Sequence, residues 1–522
     1  MNKPGQFFGF LVALGIAVFA LSIVLPSGKA ELGPFELGYY HPKDLLGPFW
    51  TGETSVAAGV DHDADPLGLD SIALEEEVAA DSLAVAVERE LELAAEKDRL
   101  AVPEAVLDTS IQVVDVRTFA PYFEALSALE ADPSTTVRVI HYGDSQLEGD
   151  RITMNLRDQL QKKYGGSGFG YVALSPLVAP SSLNFKSVEG LARKTVFGRR
   201  DTAIHDGKYG HLASFSMLEP SADSTEYSAE ISFEKRNWGF RLARNFSKVR
   251  MHLEGSAPVE VMIYVEDTLY STRVFPVGEW TLGVDVPEVK AFTMRMRSSA
   301  VARVYGISFE SPSGIAVDNV AMRGASGMMF TKIDPVQLQE SLQREQYALI
   351  IMQFGGNAVP YLKDEAHAKR FARAAGRQVG FVQRLYPDAA ILYIGPSDMA
   401  YKEGLDMQSY PLIPALKSAM RAELLSRGAG YWDLYDVMGG EGSMVDWVNQ
   451  NPALAVKDYI HFTPKGASWV GKRLAAALAS LGMEYERVVA EDSVQAELAK
   501  NRAAERAAFM QATGATNDTT NE

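Results

Sequence analysis

The chain contains no cysteine among its 522 residues. That excludes disulfides, thiolate zinc sites and a cysteine nucleophile, and it is compatible with an oxidising compartment without requiring one. It also lacks any concentrated basic face. The net charge is −17, which argues against nucleic acid as a partner, since binding to phosphates needs clustered lysine and arginine. The negative charge is itself unevenly placed. Residues 51–100 hold 14 acidic and 3 basic side chains, a net of −11, which leaves only −6 for the rest of the chain. The acidity therefore belongs to one segment and carries no message about a substrate.

One long apolar run is present. Phe7 to Leu25 is 19 residues without a charge, with Ser22 its only clearly polar side chain and Lys3 ahead of it. As a helix it would span roughly 28 Å, about one hydrocarbon core. The expectation is an N-terminal transmembrane helix within residues 1–30, a single-pass anchor in the inner (cytoplasmic) membrane. It would leave the remainder on the periplasmic, extracytoplasmic side. A signal peptide cleaved near Pro26-Ser-Gly-Lys-Ala30 is the alternative. Residues 31–105 read as an acidic linker. Within it, Asp61-His-Asp-Ala-Asp65 has the composition of a metal-ligand cluster, yet in such a charge run it reads as solvated spacer. No metal is expected. Residues 31–50, rich in aromatics, glycine and proline, read as a short strand or a membrane-proximal segment.

From about Ile111 the texture is globular. The β-branched run Val137–Tyr142 predicts a strand. It breaks at Gly143 into Asp144-Ser145, after which the pattern reads as helix through Leu160 and Lys163. Tyr164-Gly-Gly-Ser-Gly-Phe-Gly170 follows a helix and lacks the Walker lysine, so it reads as a loop and not a phosphate cradle. Between 186 and 315 short alternating runs take over: Tyr227–Phe233, Lys248–Leu253, Val259–Glu266, Ser271–Phe275, Ala291–Arg297 and Arg303–Phe309. In Val259-Glu-Val-Met-Ile-Tyr-Val-Glu266 the odd positions are all β-branched aliphatics, the period of a half-buried strand. Six such runs predict an inserted β-sandwich. Tyr209, Trp238, Trp280 and Tyr264 are candidates for a sugar-stacking platform, with burial in the core as the competing reading. The α/β texture then resumes in 316–485. Strands are predicted at Tyr347–Phe354, Ala390–Ile394 and Tyr431–Leu434, and helices near 333–346, 364–385, 409–427 and 464–481. This alternation predicts a three-layer α/β sheet. Residues 486–522 read as a polar helix decaying into a Thr/Asn-rich tail.

Four short stretches carry chemistry. Ser145 sits where a strand end meets a helix start, an edge at which ligands bind in open α/β sheets. Asp318-Asn-Val-Ala-Met-Arg-Gly-Ala-Ser-Gly327 sets small residues after an apolar run. Gln353-Phe-Gly-Gly-Asn357 ends a strand with glycines and an amide. Lys457-Asp-Tyr-Ile-His461 places Asp458 three residues before His461, so the carboxylate can orient the imidazole as a general base. A serine, an Asp–His pair and spare N–H donors are the parts of acyl transfer. Each has a plain structural explanation alone; their order and their positions at strand ends favour a common one.

With these blocks the chain resembles the SGNH subgroup of the GDSL esterase/lipase superfamily: Gly143-Asp144-Ser145, Gly324, Gly355–Asn357 and Asp458–His461. The resemblance covers roughly residues 106–185 and 316–485. It implies a flavodoxin-like sheet, Ser145 as nucleophile and His461 as base oriented by Asp458. It also implies an oxyanion hole from the backbone N–H groups of Ser145 and Gly324 with the Asn357 side chain, and no cofactor. More narrowly, the layout is similar to periplasmic peptidoglycan O-acetylesterases, which also carry a carbohydrate-binding-like sandwich between the first two blocks. Gln146 after the nucleophile and the long anchor-plus-linker depart from that pattern. The expected function is removal of O-acetyl groups from an acetylated polysaccharide, peptidoglycan first. The alternatives are a polysaccharide O-acetyltransferase working with a multi-span membrane partner, and a non-catalytic cell-wall-binding protein.

Overall fold

The structure, a computed structural model, describes residues 28–32, 35–39, 108–181, 183–198, 201, 203–220, 226–236, 239–286 and 291–513. The apolar run 7–25, the cluster Asp61–Asp65, the acidic linker from residue 40 to 105 and the end of the tail lie outside the described residues. No helix among those described is long and apolar enough to cross a membrane. The chain divides into two units, residues 1–66 and 67–522. In the first, strand β1 (Gly28–Leu32) pairs antiparallel with β2 (Phe35–Tyr39), with Gly28 opposite Tyr39 and Leu32 opposite Phe35.

The second unit opens with β3 (Ile111–Gln112), helix α1 (Ala120–Ala131), β4 (Thr136–Gly143) and α2 (Thr153–Tyr164). Then come the strands of the insert: β5 (Gly170–Val172), β6 (Leu183–Glu189), β7 (Leu191–Thr195), β8 (Ser214–Pro220), β9 (Tyr227–Lys235), β10 (Lys248–Gly255), β11 (Val259–Val265), β12 (Thr268–Phe275), β13 (Gly278–Asp285), β14 (Ala291–Ser298) and β15 (Ala302–Glu310). The body resumes with β16 (Gly314–Ala321), α3 (Pro335–Glu345), β17 (Tyr347–Gln353), α4 (Glu365–Leu385) and β18 (Ala390–Ile394). It continues through a hairpin of β19 (Ala400–Glu403) and β20 (Asp406–Ser409) to α5 (Ile413–Leu425), β21 (Gly430–Trp432) and α6 (Pro464–Thr513).

The body sheet runs in the order β16-β4-β17-β18-β21-β3; the first five strands are mutually parallel and β3 closes the edge antiparallel. Numbered by their appearance, the parallel strands stand 2-1-3-4-5, the flavodoxin-like order. Alternate residues of each strand feed two separate cores, the period of a sheet covered on both faces. Ile140, Tyr142, Ile350 and Met352 pack with α3, α4 and α5. Val137, Val139, Leu349 and Ile351 pack with α1, α2 and α6. This is the three-layer arrangement that the alternation of elements predicts.

The insert is antiparallel. Its strands follow the path β12-β11-β14-β9-β8-β15-β10-β13, with β5, β6 and β7 branching from it. Strand β8 joins the two faces: its middle pairs with β15 and its last residues with β9. Val259, Val261 and Ile263 from one face meet Val249, Met251 and Leu253 from the other in a common core. Phe233 and Phe309 are in contact across it, with centroids 5.2 Å apart. All six predicted runs are strands. The limits differ from 186–315: β5 already pairs with β15, and β16, beginning at Gly314, belongs to the body sheet. Strand β5 is three residues long and wholly buried, so it has no alternation to read.

Candidate active site

The site is built at the C-terminal edge of β4, β16 and β17, where the strand order reverses and ligands bind in such sheets. Strand β4 is buried from Val137 to Gly143. At Gly143 a Cβ would lie 2.7 Å from the Leu147 side chain and 3.1 Å from the Gln353 carbonyl, so only glycine lets the chain turn so tightly here. The Asp144 carboxylate then accepts from Gln146 N–H at 3.0 Å and starts a 3₁₀ turn, Ser145–Asp150. The expected unbroken helix is interrupted here. Gly149 and Asp150 take φ of 63° and 66°, and α2 begins only at Thr153. The kink sets Ser145 apart from the helix on a short, largely buried turn of its own.

The turn before α6 comes from the other end of the domain. The Asp458 carboxylate accepts from the N–H groups of Ile460 at 2.9 Å and His461 at 3.0 Å, with Tyr459 at φ 60°. This folds Asp458 back on His461, whose Nδ1 donates to Asp458 Oδ2 at 2.7 Å. His461 Nε2 is then the ring's acceptor, and Ser145 Oγ lies 2.8 Å from it. The structure thus brings Ser145, His461 and Asp458 into one hydrogen-bonded series across 316 residues of sequence. Burial by itself would raise the Asp458 carboxyl; the hydrogen bond and charge of His461 and the two backbone donors outweigh it and hold it below the usual carboxylate range.

Two residues that sequence reasoning missed clamp this meeting. Gln146 Nε2 donates to the Ile460 carbonyl at 2.7 Å. Arg151, buried, donates to the carbonyls of Ser145 and of Glu148 (3.1 Å) and reaches that of Phe462 at 3.4 Å. Gln146 was noticed only as a departure from the family pattern; its amide is what ties the serine turn to the histidine turn.

The remaining candidates sit on the neighbouring loops. Asn357 follows β17 and lines the same cleft as Ser145, together with Phe354, Pro396, Met399 and Ile460. Its amide donates to the Ala325 carbonyl at 3.1 Å, which leaves one amide hydrogen uncommitted by that bond. Gly324, at φ 73°, lies in the turn after β16, tied to the site at both ends: Met322 N–H donates to the Gly143 carbonyl at 2.8 Å, and Ala325 receives Asn357. Gly324 is not among the residues lining the cleft. Beneath these loops runs a buried polar string. His141 contacts Gln353 Oε1 through Nε2 (3.1 Å) and Thr153 Oγ1 through Nδ1 (3.0 Å). Thr153 donates to Asn319 Oδ1 (2.7 Å), and Asn319 donates to the Leu147 carbonyl (3.1 Å). It joins the Asn357 loop to the Ser145 turn. Burial pushes His141 down to about 3, so the ring is neutral.

The cleft holds about 20 Å³, little more than the ~10–15 Å³ that one water requires. Among the described residues no group of acidic and histidine side chains is arranged to hold a metal ion. Of the four candidates for a sugar-stacking platform, three are described. Tyr209 is 3% exposed and packs on Phe215, because it lies where the insert meets the body. Tyr264 lies under the Arg295 guanidinium at 4.7 Å. Trp280 is 42% exposed on β13, and Trp238 lies outside the described residues.

No family model matches the chain, and no curated protein does. Solved structures do. A peptidoglycan O-acetylesterase is 20% identical over 72% of this chain and 99% of its own, with a TM-score of 0.56. A salicylyl-acyltransferase from a tetracycline biosynthetic pathway is 12% identical over 60% of this chain and 97% of its own, with a TM-score of 0.25. A family two carbohydrate esterase from Clostridium thermocellum is 12% identical over 55% and 97%, with a TM-score of 0.22. The first of these establishes a shared fold, the α/β body with its sandwich insert.

Proposed function

We propose that this chain is a serine esterase that removes O-acetyl groups from a cell-envelope polysaccharide, peptidoglycan above all. In this reading residues 7–25 anchor it and the body works outside the cytoplasm. The observation that carries the proposal is the series Asp458–His461–Ser145 at the edge of β4, opening on a cleft that Ser145 and Asn357 both line. The fold shared with a peptidoglycan O-acetylesterase supports the choice of glycan.

In this mechanism Ser145 Oγ attacks the acetyl carbonyl as His461 Nε2 takes its proton, and Asp458 stabilises the imidazolium. The oxyanion is met by the Ser145 and Gly324 N–H groups and by the free amide hydrogen of Asn357. Collapse expels the sugar oxygen, which leaves with the proton from His461. Water, deprotonated by the same nitrogen, then releases acetate from Ser145.

The test is acetate release from O-acetylated peptidoglycan by the full-length chain beside Ser145→Ala. Loss of the nucleophile is expected to cost ~10⁴-fold or more in turnover. Release by the wild type alone supports the proposal. Ser145-dependent cleavage of a small aryl acetate without release from peptidoglycan keeps the esterase and refutes the glycan. Silence on both substrates from folded protein overturns it.

A further inference from the structure

The insert brings one cation to the edge of the site and leaves it without a partner. Arg193, on β7, is half-buried, its Nε is closed off from solvent, and that nitrogen has no hydrogen-bond partner. The guanidinium makes no ion pair among the described residues, and its nearest ring is Phe197, at 5.7 Å. Two charged groups face it, Glu148 and Arg323. Glu148 is already engaged: Oε1 accepts from Arg323 Nε at 2.7 Å. The three groups therefore carry two positive charges against one negative.

Their place ties them to the site. Glu148 follows Ser145 by three residues on the same turn, and Arg323 immediately precedes Gly324. Glu148 and Arg193 line a cavity of about 60 Å³ with Leu177, Val178, Phe197 and Asn319, walled by residues of both the insert and the body. That is several times what one water needs (~10–15 Å³). It accommodates a planar carboxylate. A desolvated, unpaired cation is costly, and burial holds Arg193 below its ordinary range. Such a group is poised to gain an anionic partner. A guanidinium fork matches a carboxylate in two parallel hydrogen bonds.

We propose that Arg193, backed by Arg323, is a carboxylate-binding subsite supplied by the insert, which selects glycans bearing an acid group on the acetylated sugar or its neighbour over neutral acetylated glycans. This rests on the esterase reading of Ser145 and narrows its substrate class. The anion enters the cavity while the ring and its acetyl group lie across the mouth toward Ser145.

The experiment compares an O-acetylated oligosaccharide containing muramic acid with its carboxyl-reduced alcohol form. Two readouts serve: kcat/KM with the full-length chain, and Kd for the same two sugars by calorimetry on Ser145→Ala. Wild type is expected to favour the acid form by about 10- to 100-fold, the range of one charge-assisted contact. Arg193→Gln brings the ratio close to one, and Arg193→Lys restores part of it, with stronger salt dependence. Equal handling of the two sugars by wild type overturns the subsite, as does an unchanged ratio in Arg193→Gln. The binding readout does not require turnover. A preference in Kd that follows Arg193 supports the subsite even if aryl acetate hydrolysis shows the esterase reading to be wrong. A Ser145-dependent esterase without that preference fails the subsite alone.

Discussion

Strand β4 carries buried polar chemistry at both of its ends, and the two ends are built on opposite plans. Near its start, Arg138 meets Glu310 of the insert in a direct ion pair and lies near Asp318 (3.9 Å) and Glu345 (3.7 Å) of the body. Around them Arg250 pairs with Glu345 at 2.9 Å, Tyr171 donates to Glu345 at 2.9 Å, and Tyr347 donates to Asp318 at 2.6 Å. Nearly every oxygen in this seam is taken, and each cation has a carboxylate. Past the far end, Ser145 and His461 form a hydrogen bond, Asn357 has an amide hydrogen left over by its bond to Ala325, and Arg193 is unpaired. Burial of polar groups is common to both ends. What separates the joint from the site is charge pairing: each cation of the joint has a carboxylate across the boundary between insert and body, although Arg138 Nη1 and Glu345 Oε2 make no hydrogen bond, whereas Arg193 beside the site has no carboxylate of its own.

The joint can be broken first, and with the largest effect on stability. Arg138→Met leaves Asp318 buried without its cation and Glu310 with only Arg250, at 3.4 Å, and breaking one side of a buried pair costs about 3–5 kcal/mol. Denaturant titration should show that loss. Adding Glu310→Gln should recover a substantial part of it, because the second substitution removes the stranded charge. Activity should decline only in step with the unfolded fraction. An unchanged midpoint would mean that the seam is not what fixes the insert on the body.

The site end responds in the opposite currency. Asn357→Ala should lower kcat by about 100- to 1,000-fold, the usual effect of deleting one oxyanion donor, equivalent to about 3–4 kcal/mol of transition-state stabilisation. KM for an aryl acetate and the denaturation midpoint should hardly move. A midpoint that drops as far as that of Arg138→Met would make Asn357 a structural bond to Ala325, not a donor held in reserve.

The sequence announced one of these ends and hid the other. Ser145, Asn357, Asp458 and His461 were legible because each stands in a local context that means something by itself: a strand end, a glycine pair, an Asp three residues ahead of a His. Gly324 was legible only through resemblance. Arg138 and Glu310 are 172 residues apart, and in a strand pattern each reads as an ordinary charged position; the topology alone pairs them. Arg193 was silent for the same reason, and Leu191-Ala-Arg-Lys-Thr195 is half-buried throughout, so it shows no alternation. By contrast β11 repeats in its burial the alternation of its sequence, which is why the sandwich could be foreseen. The kink after Ser145 had a signal in Gly149, outweighed by the helical spacing of the residues that follow.

His141 lies on β4 between the two ends and offers the smallest and most discriminating test. It is fully buried, and its proton affinity is held down to about 3 by that burial, whereas an unfolded histidine titrates near 6.5. Between those values the unfolded chain binds a proton that the native state does not, so this residue makes native stability rise with pH. Its contribution is complete above about pH 6.5 and declines by ~1.4 kcal/mol per unit as the pH falls from there toward 3. Between pH 6.5 and 5.5, where the unfolded histidine goes from half to nearly fully protonated, this residue should lower the unfolding free energy of wild type by about 1 kcal/mol, and His141→Gln should remove that part of the slope. If the string to Gln353, Thr153 and Asn319 belongs to the site, the same variant should also lower kcat at pH 7.5 while KM stays fixed, because the Asn357 loop and the Ser145 turn would lose their common register. A flattened slope with full turnover would instead place His141 with Arg138, among the groups that hold the fold and leave the chemistry alone.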